Sequence, residues 1–209
     1  MLQLDEVSVT AGAIVLLPPV SITVQRGEAL MVRGRNGAGK STLLRVLAGS
    51  QLPSSGSVRI GDHEVVERDP RFRRRVAAMI GLPPMASDLT VFDHVLLVAT
   101  TWMDSAAAAL ELTGQVLTDL GLGPLEQRFP HELSSGQTQL FGLALVLVRP
   151  CEVLILDEPE QRLDPEHIDS VIRTLRNRRD SGVTLVIATH SPRIADGLGD
   201  RTITLEAAA

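Results

Sequence analysis

Apolar and polar positions alternate over the first sixty residues of this chain. The runs LQLDEVSVT, AIVLL, SITV, ALMVRG and SVRIG are rich in valine. Turn signals at Pro18-Pro19, Arg26-Gly27 and Pro53-Ser54-Ser55-Gly56 separate them, which predicts several short strands. One helix interrupts the series: from Lys40 to Ala48 the spacing puts Leu43, Leu44 and Leu47 on one inward face. From Leu89 to about Val148 alanine and leucine dominate and predict helices, with breaks at Gly121–Pro124 and Pro130. Apolar strands return as EVLILD (152–157) and VTLVIAT (183–189), with a helical pattern over 165–180 between them. Strand, helix and strand, with nearly unbroken apolar strands, is the pattern of a buried parallel sheet. The expected class is therefore α/β, with a helical stretch inserted into the middle third.

Composition narrows the class further. The 209 residues fit one large domain, and 44% hydrophobic with 22% charged residues is an ordinary globular balance. The net charge of −5 is not an electrostatic match for nucleic acid. The single cysteine, Cys151, excludes an internal disulfide and suits a reducing compartment. Asp5 and Glu6 interrupt the first residues and no basic start precedes them, so no signal pattern is read there. The longest apolar runs, such as LFGLALVLV at 140–148, fall far short of the ~20 residues that span a bilayer. Any work at a membrane requires another chain to do the crossing.

Candidate chemistry begins at Gly34-Arg35-Asn36-Gly37-Ala38-Gly39-Lys40-Ser41, the spacing G-x-x-x-x-G-K-[ST]. Its glycines let successive backbone N–H groups turn inward around phosphate oxygens. The helix that starts near Lys40 points its positive end at the same place. Lys40 is expected to reach the terminal phosphates, Ser41 a magnesium ion and Thr42 an inner phosphate. A glycine-rich turn that merely starts a helix is the plainer alternative. The position after strand ALMV and before STLLRVLAG favours the phosphate reading.

The second carrier is VLILDEP at 153–159, an apolar strand ending in Asp157 and Glu158. Asp157 suits magnesium, a hard cation that prefers oxygen ligands. Glu158, one residue further, suits the polarising of a water that attacks the γ-phosphate. In isolation two solvated acids closing a strand would be the simpler account; the phosphate loop changes that balance.

The third carrier is LSSGQTQ at 133–139. Phosphate loop, then L-S-x-G-Q, then D-E-P, in this order, resembles an ABC-type ATPase over effectively the whole chain, from Leu2 to Thr204. Leu133 stands 93 positions after Lys40, and Asp157 stands 21 after Gly136, both similar to the family; Ser135 is the one departure from the usual LSGGQ. The resemblance implies a P-loop NTPase core with a mainly parallel sheet, an N-terminal antiparallel β subdomain and an inserted helical subdomain. It places the ATP-binding core at 1–84 and 150–209 and the helical signature subdomain at about 85–149. It implies ATP and Mg2+ as cofactors. It also implies a second ATPase subunit whose Ser134, Ser135, Gly136 and Gln137 close on the nucleotide, while read alone Ser134 is simply a helix cap. His190, 32 positions after Glu158, matches the family's switch histidine, and Asp164 matches the D-loop aspartate, a position that also suits a helix cap before Pro165.

Two departures accompany the resemblance. The adenine-stacking aromatic of the family has Ala11 near its place, and the chain contains no tyrosine. Apolar contact from Val9, Ile14 or Val15 is expected instead. The glutamine that usually ends the strand before the helices has Gly81 near its place, and no glutamine occurs between Gln51 and Gln115. Arg68, Arg71, Arg73, Arg74 and Arg75 read as a solvated helix face before a strand, in preference to a membrane or nucleic-acid patch. LTVFDHVLLV (89–98) reads as helical core with a few exposed positions, where the family's membrane partner docks.

The function expected from the resemblance is an ATP-hydrolysing subunit, peripheral on the inner face of the membrane, that drives an integral membrane transporter subunit and binds no nucleic acid. The rival classes are an ABC-type ATPase acting on nucleic acid or ribosomes, and a regulatory nucleotide-binding module of slow turnover. The short length and the ending after TITLEAAA point to a compact exporter-type subunit without an appended regulatory domain.

Overall fold

A computed structural model describes residues 1–65 and 69–206. The alternating N-terminal runs form an antiparallel sheet from β1 (Leu2–Ala11), β2 (Ile14–Val24), β4 (Ser55–Ile60) and β5 (His63–Glu64), in the order β2-β1-β4-β5. The apolar strands form a second sheet from β3 (Ala29–Gly34), β6 (Val76–Met79), β7 (Val153–Asp157), β8 (Thr184–Ala188) and β9 (Arg201–Leu205). Its order is β6-β7-β8-β3-β9, and every neighbouring pair runs parallel.

Helices fill the connections: α1 (Lys40–Leu47), α2 (Pro70–Arg75), α3 (Val91–Thr100), α4 (Ala106–Asp119), α5 (Ser135–Leu147), α6 (Pro165–Asp180) and α7 (Pro192–Leu198). Side chains of the parallel strands alternate between two cores. Leu30, Val32, Ile155 and Val186 face α1 and the antiparallel sheet. Met31, Leu154, Leu156, Leu185 and Ile187 face the helices of the middle third and α6, with Phe141 fully buried among them. From Gln139 to Leu147 every residue of α5 is buried, as befits a helix that is apolar all round. The inserted helices therefore share one continuous core with the parallel sheet.

Two boundaries and one side-chain direction depart from the sequence pattern. Pro18-Pro19 does not separate two strands, because β2 runs through both. β2 is an edge strand paired only with β1, and the register shifts between Val7↔Val20 and Val9↔Leu17, so neither proline occupies a paired position. Ser55 and Gly56 belong to β4 rather than to the turn before it; a register shift opposite Asp5 and Ser8 accommodates them. Val9 points into the core at 2% exposure, which removes it from the candidate base contacts.

Of the arginine cluster, Arg68 lies outside the described residues. The others form the short α2, capped by Asp69 and anchored by buried Phe72. Arg75 binds Glu152 through two hydrogen bonds of 3.1 and 2.9 Å. The stretch 89–98 enters α3 with Val91, Val95 and Ala99 buried and Leu97 exposed.

Candidate nucleotide site

The phosphate loop bridges the end of β3 and the start of α1, as its spacing requires. Gly39 is the cap residue of α1 and adopts a left-handed conformation at φ 91°. A Cβ there would stand 2.6 Å from the carbonyl oxygen of Leu16, so β2 presses directly on the loop. Lys40 is buried, and its Nζ donates to the carbonyls of Gly34 (2.9 Å) and Arg35 (3.3 Å). The ammonium is thus held inside the loop that its own backbone forms.

A cavity of about 420 Å³ opens over this loop, floored by Asn36, Gly37, Lys40, Ser41 and Thr42, with Glu158 at one side. Its other wall is the exposed edge of β2, Ile14, Val15 and Leu16. None of the four phenylalanines (Phe72, Phe92, Phe129, Phe141), nor Trp102, lines it. Ile14 and Val15 were legible in the sequence as candidate base contacts; Leu16, which lines the same wall, was not among them.

The parallel sheet carries the acidic residues to this cavity from far along the chain. Ser41 Oγ donates to Asp157 Oδ2 at 2.6 Å across 116 positions. These two oxygens suit a magnesium ion, which binds few protein oxygens and keeps several waters and phosphate oxygens around it. Among the described residues no group of three or more His, Cys, Asp or Glu side chains gathers as a protein-only metal cage.

Glu158 follows β7 in a left-handed turn at φ 49°, its backbone N–H donating to the Ala188 carbonyl at 2.8 Å. A non-glycine residue held there stores strain and re-aims its side chain off the strand line. Its Oε1 lies 3.4 Å from Nε2 of His190 at the end of β8. The turn is fixed from behind by Gln139 of α5, whose buried amide donates to the carbonyls of Glu158 (3.1 Å) and Pro159 (3.4 Å). Gln139 escaped the sequence reading; its only signal is an amide within a helix otherwise buried and apolar.

Ser134 caps α5, accepting from the Gln137 backbone N–H, while the Gln137 side chain accepts from Ser134 N–H at 2.9 Å. Ser135 and Gly136 begin the helix, and a Cβ on Gly136 would meet the carbonyl oxygen of Arg162 at 2.8 Å. Asp164 caps α6, accepting from the backbone and the ring of His167 at 2.9 and 2.8 Å. The His167 backbone N–H is the main reason the Asp164 carboxyl sits below its ordinary range. None of Ser134, Ser135, Gly136, Gln137 or Asp164 lines the cavity over the phosphate loop. Gly81 follows β6 at φ 79° with open space around it.

Comparison with known proteins accords with this arrangement. A family model described as ABC transporter matches residues 17–161. The methionine import ATP-binding protein MetN of Rhodopseudomonas palustris strain BisB5 is 35% identical over 94% of this chain and 54% of its own length. The chain therefore spans about half the length of that relative. The thiamine import ATP-binding protein ThiQ of Chelativorans sp. strain BNC1 is 36% identical over 88% of this chain and 75% of its own. Among solved structures, a dimeric ATP-binding cassette in a post-hydrolysis state with ADP and Pi superposes with a TM-score of 0.87 at 24% identity, covering 100% of this chain and 97% of that one. The structure of cbiO1 from Clostridium perfringens, part of the ABC transporter complex cbiONQ, gives 0.83 at 26% identity, covering 100% and 86%. With its phosphate loop, paired acids and cassette fold assembled as described, this chain belongs to the ABC transporter family.

Proposed function

We propose that this chain is an ATP-binding and ATP-hydrolysing subunit that powers a separate membrane-spanning transporter. The observation that carries the reading is the meeting, in one cavity, of Lys40, Ser41, Thr42 and Glu158, with Asp157 bonded to Ser41 and His190 beside Glu158. The 1–84 and 150–209 segments serve as the ATP-binding core and 85–149 as the signature subdomain. No helix among the described residues is long and apolar enough to cross a membrane.

The backbone amides from Asn36 to Ser41 and the Lys40 ammonium bind the triphosphate, and Ser41 and Asp157 would hold Mg2+. Bound there, Mg2+ would neutralise negative charge on the phosphates. Glu158 orients a water and takes its proton as the water oxygen bonds to Pγ and the bond to the β-γ bridging oxygen breaks, leaving ADP and phosphate. His190 holds the γ-phosphate and the water in register with Glu158. Ser134, Ser135, Gly136 and Gln137 lie away from the cavity of their own subunit, so they serve the nucleotide of a second subunit, with Asp164 along the shared face. The export expected from chain length has no support among the named relatives, which are importers by name.

Titration calorimetry with Mg-ATP tests the binding half: native protein gives a heat of association, and Lys40→Ala abolishes it. Steady-state turnover tests the chemistry. Glu158→Gln is expected to bind ATP with native affinity and to lose about 10²–10⁴-fold in rate, the range for a positioned general base. Unchanged turnover removes Glu158 from its role. Co-purification with an integral membrane chain tests the transport half.

A further inference from the structure

Glu160 lies two residues beyond Glu158 and is not among the groups that face the nucleotide cavity. Its Oε1 accepts from the hydroxyl of Thr189 and from the backbone N–H of Ser191, the latter at 3.2 Å. The same Ser191 N–H lies 2.9 Å from Thr189 Oγ1, so carboxylate, hydroxyl and amide close a three-membered ring of hydrogen bonds. The residue enclosed by this ring is His190. Thr189 is fully buried, and its backbone N–H donates to Val32 of β3, which fixes that side of the ring to the sheet. On the other side Ser191 caps α7.

The second oxygen, Oε2, is buried and has no hydrogen-bond partner among the described residues. A buried carboxylate oxygen left unpaired is unfavourable, and a hydroxyl or methyl at this position would avoid the penalty. Such a group in a native fold calls for a compensating role. The geometry supplies one. The segment Glu158–Glu160 reaches His190 twice: directly, through Glu158 Oε1, and indirectly, through the ring that holds both residues flanking His190. Gln139 anchors the same segment from below.

We propose that Glu160 is a positioning residue that locks the histidine loop to the segment carrying Glu158, so that Glu158 and His190 move as one unit. This rests on the hydrolytic reading given above, and a readout independent of hydrolysis separates the two. Without the clasp the residues flanking His190 are no longer tied to the Glu158 segment, and its ring loses register with Glu158. Misplacement on the order of an ångström at a reacting centre lowers rates by up to about a hundredfold without weakening binding made elsewhere.

The test combines steady-state kinetics with hydrogen exchange at the Ser191 amide, read by NMR on the full-length chain. Glu160→Ala is expected to lower kcat at least about tenfold while KM for Mg-ATP shifts less than about twofold. It is also expected to accelerate exchange at Ser191. In a His190→Ala background the same substitution is expected to have little further effect, because residues acting as a unit are not additive. Glu160→Gln keeps an acceptor oxygen for Thr189 and Ser191 and is expected to restore Ser191 protection and most of kcat. Glu160→Asp, one methylene short, is expected to behave as the alanine variant does, and it stands in should the alanine variant fail to fold. Independent, multiplicative losses from Glu160→Ala and His190→Ala overturn the proposal, as does unaltered Ser191 exchange. A native protein that binds Mg-ATP without turnover, yet whose Ser191 amide loosens in Glu160→Ala, refutes hydrolysis while leaving the clasp supported.

Discussion

Alanine at Gly39 and alanine at Gly37 separate the two demands on the phosphate loop. Both residues have left-handed backbones, at φ 91° and 82°. An added Cβ therefore strains each by about 1–2 kcal/mol, offset by about 0.4–1 kcal/mol from the stiffer unfolded chain. The net for Gly37→Ala is a loss of about 1 kcal/mol, since nothing lies within 4 Å of its Cβ. At Gly39 the Cβ would stand 2.6 Å from Leu16 O, 3.1 Å from Leu17 Cδ1 and 3.3 Å from Leu17 Cα. The Leu16 carbonyl and Leu17 Cα are backbone of β2 and cannot turn away as a side chain can, so overpacking adds about 1–3 kcal/mol. A total near 3 kcal/mol lowers Tm by about 6–12 °C for a chain of this size, against about 2–4 °C for Gly37→Ala. Differential scanning calorimetry of the nucleotide-free proteins measures both. Equal shifts for the two variants would falsify the claim that β2 bears on the loop at Gly39.

Three further outcomes follow from the site. On the proposed reading the base lies against the aliphatic wall of Ile14, Val15 and Leu16; competition binding is then expected to find ATP and GTP within about tenfold, or about 1.4 kcal/mol, and a thousandfold preference would sink the assignment. The depressed Asp164 carboxyl contributes stability above its unfolded pKa, near the ordinary carboxylate value, and loses it as pH falls through the lower folded value. Asp164→Ala is therefore expected to lower Tm at neutral pH and to flatten its fall in acid; parallel Tm–pH curves for the two proteins refute this. Burial pushes the Cys151 thiol up, so its alkylation at pH 8 is expected to be slower in the folded than in the urea-unfolded chain, with equal rates as the contrary result.

What the sequence determined by itself was whatever short-range chemistry dictates. The loop from Gly34 to Ser41 needs only contiguous glycines, a lysine and a hydroxyl before an amphipathic helix, and the caps at Ser134 and Asp164 need only their own following turn. The apolar strands 153–157 and 184–188 were readable because a strand buried on both faces is uniformly apolar. The tertiary structure decided everything that depends on which strands become neighbours. Pro18-Pro19 reads as a break until β2 proves to be an edge strand, and Val9 reads as a base contact until the pairing of β1 turns it inward. Gln139 signals only that an amide sits within a buried stretch of helix, and Glu160 carries no local signature. Their partners lie 19 to 31 positions away and are reached only after α5 packs under the β7 turn and β8 closes beside β7. Periodicity encodes which face a residue presents. The sheet order β6-β7-β8-β3-β9, in which helical connections carry strands distant in sequence side by side, decides what that face meets.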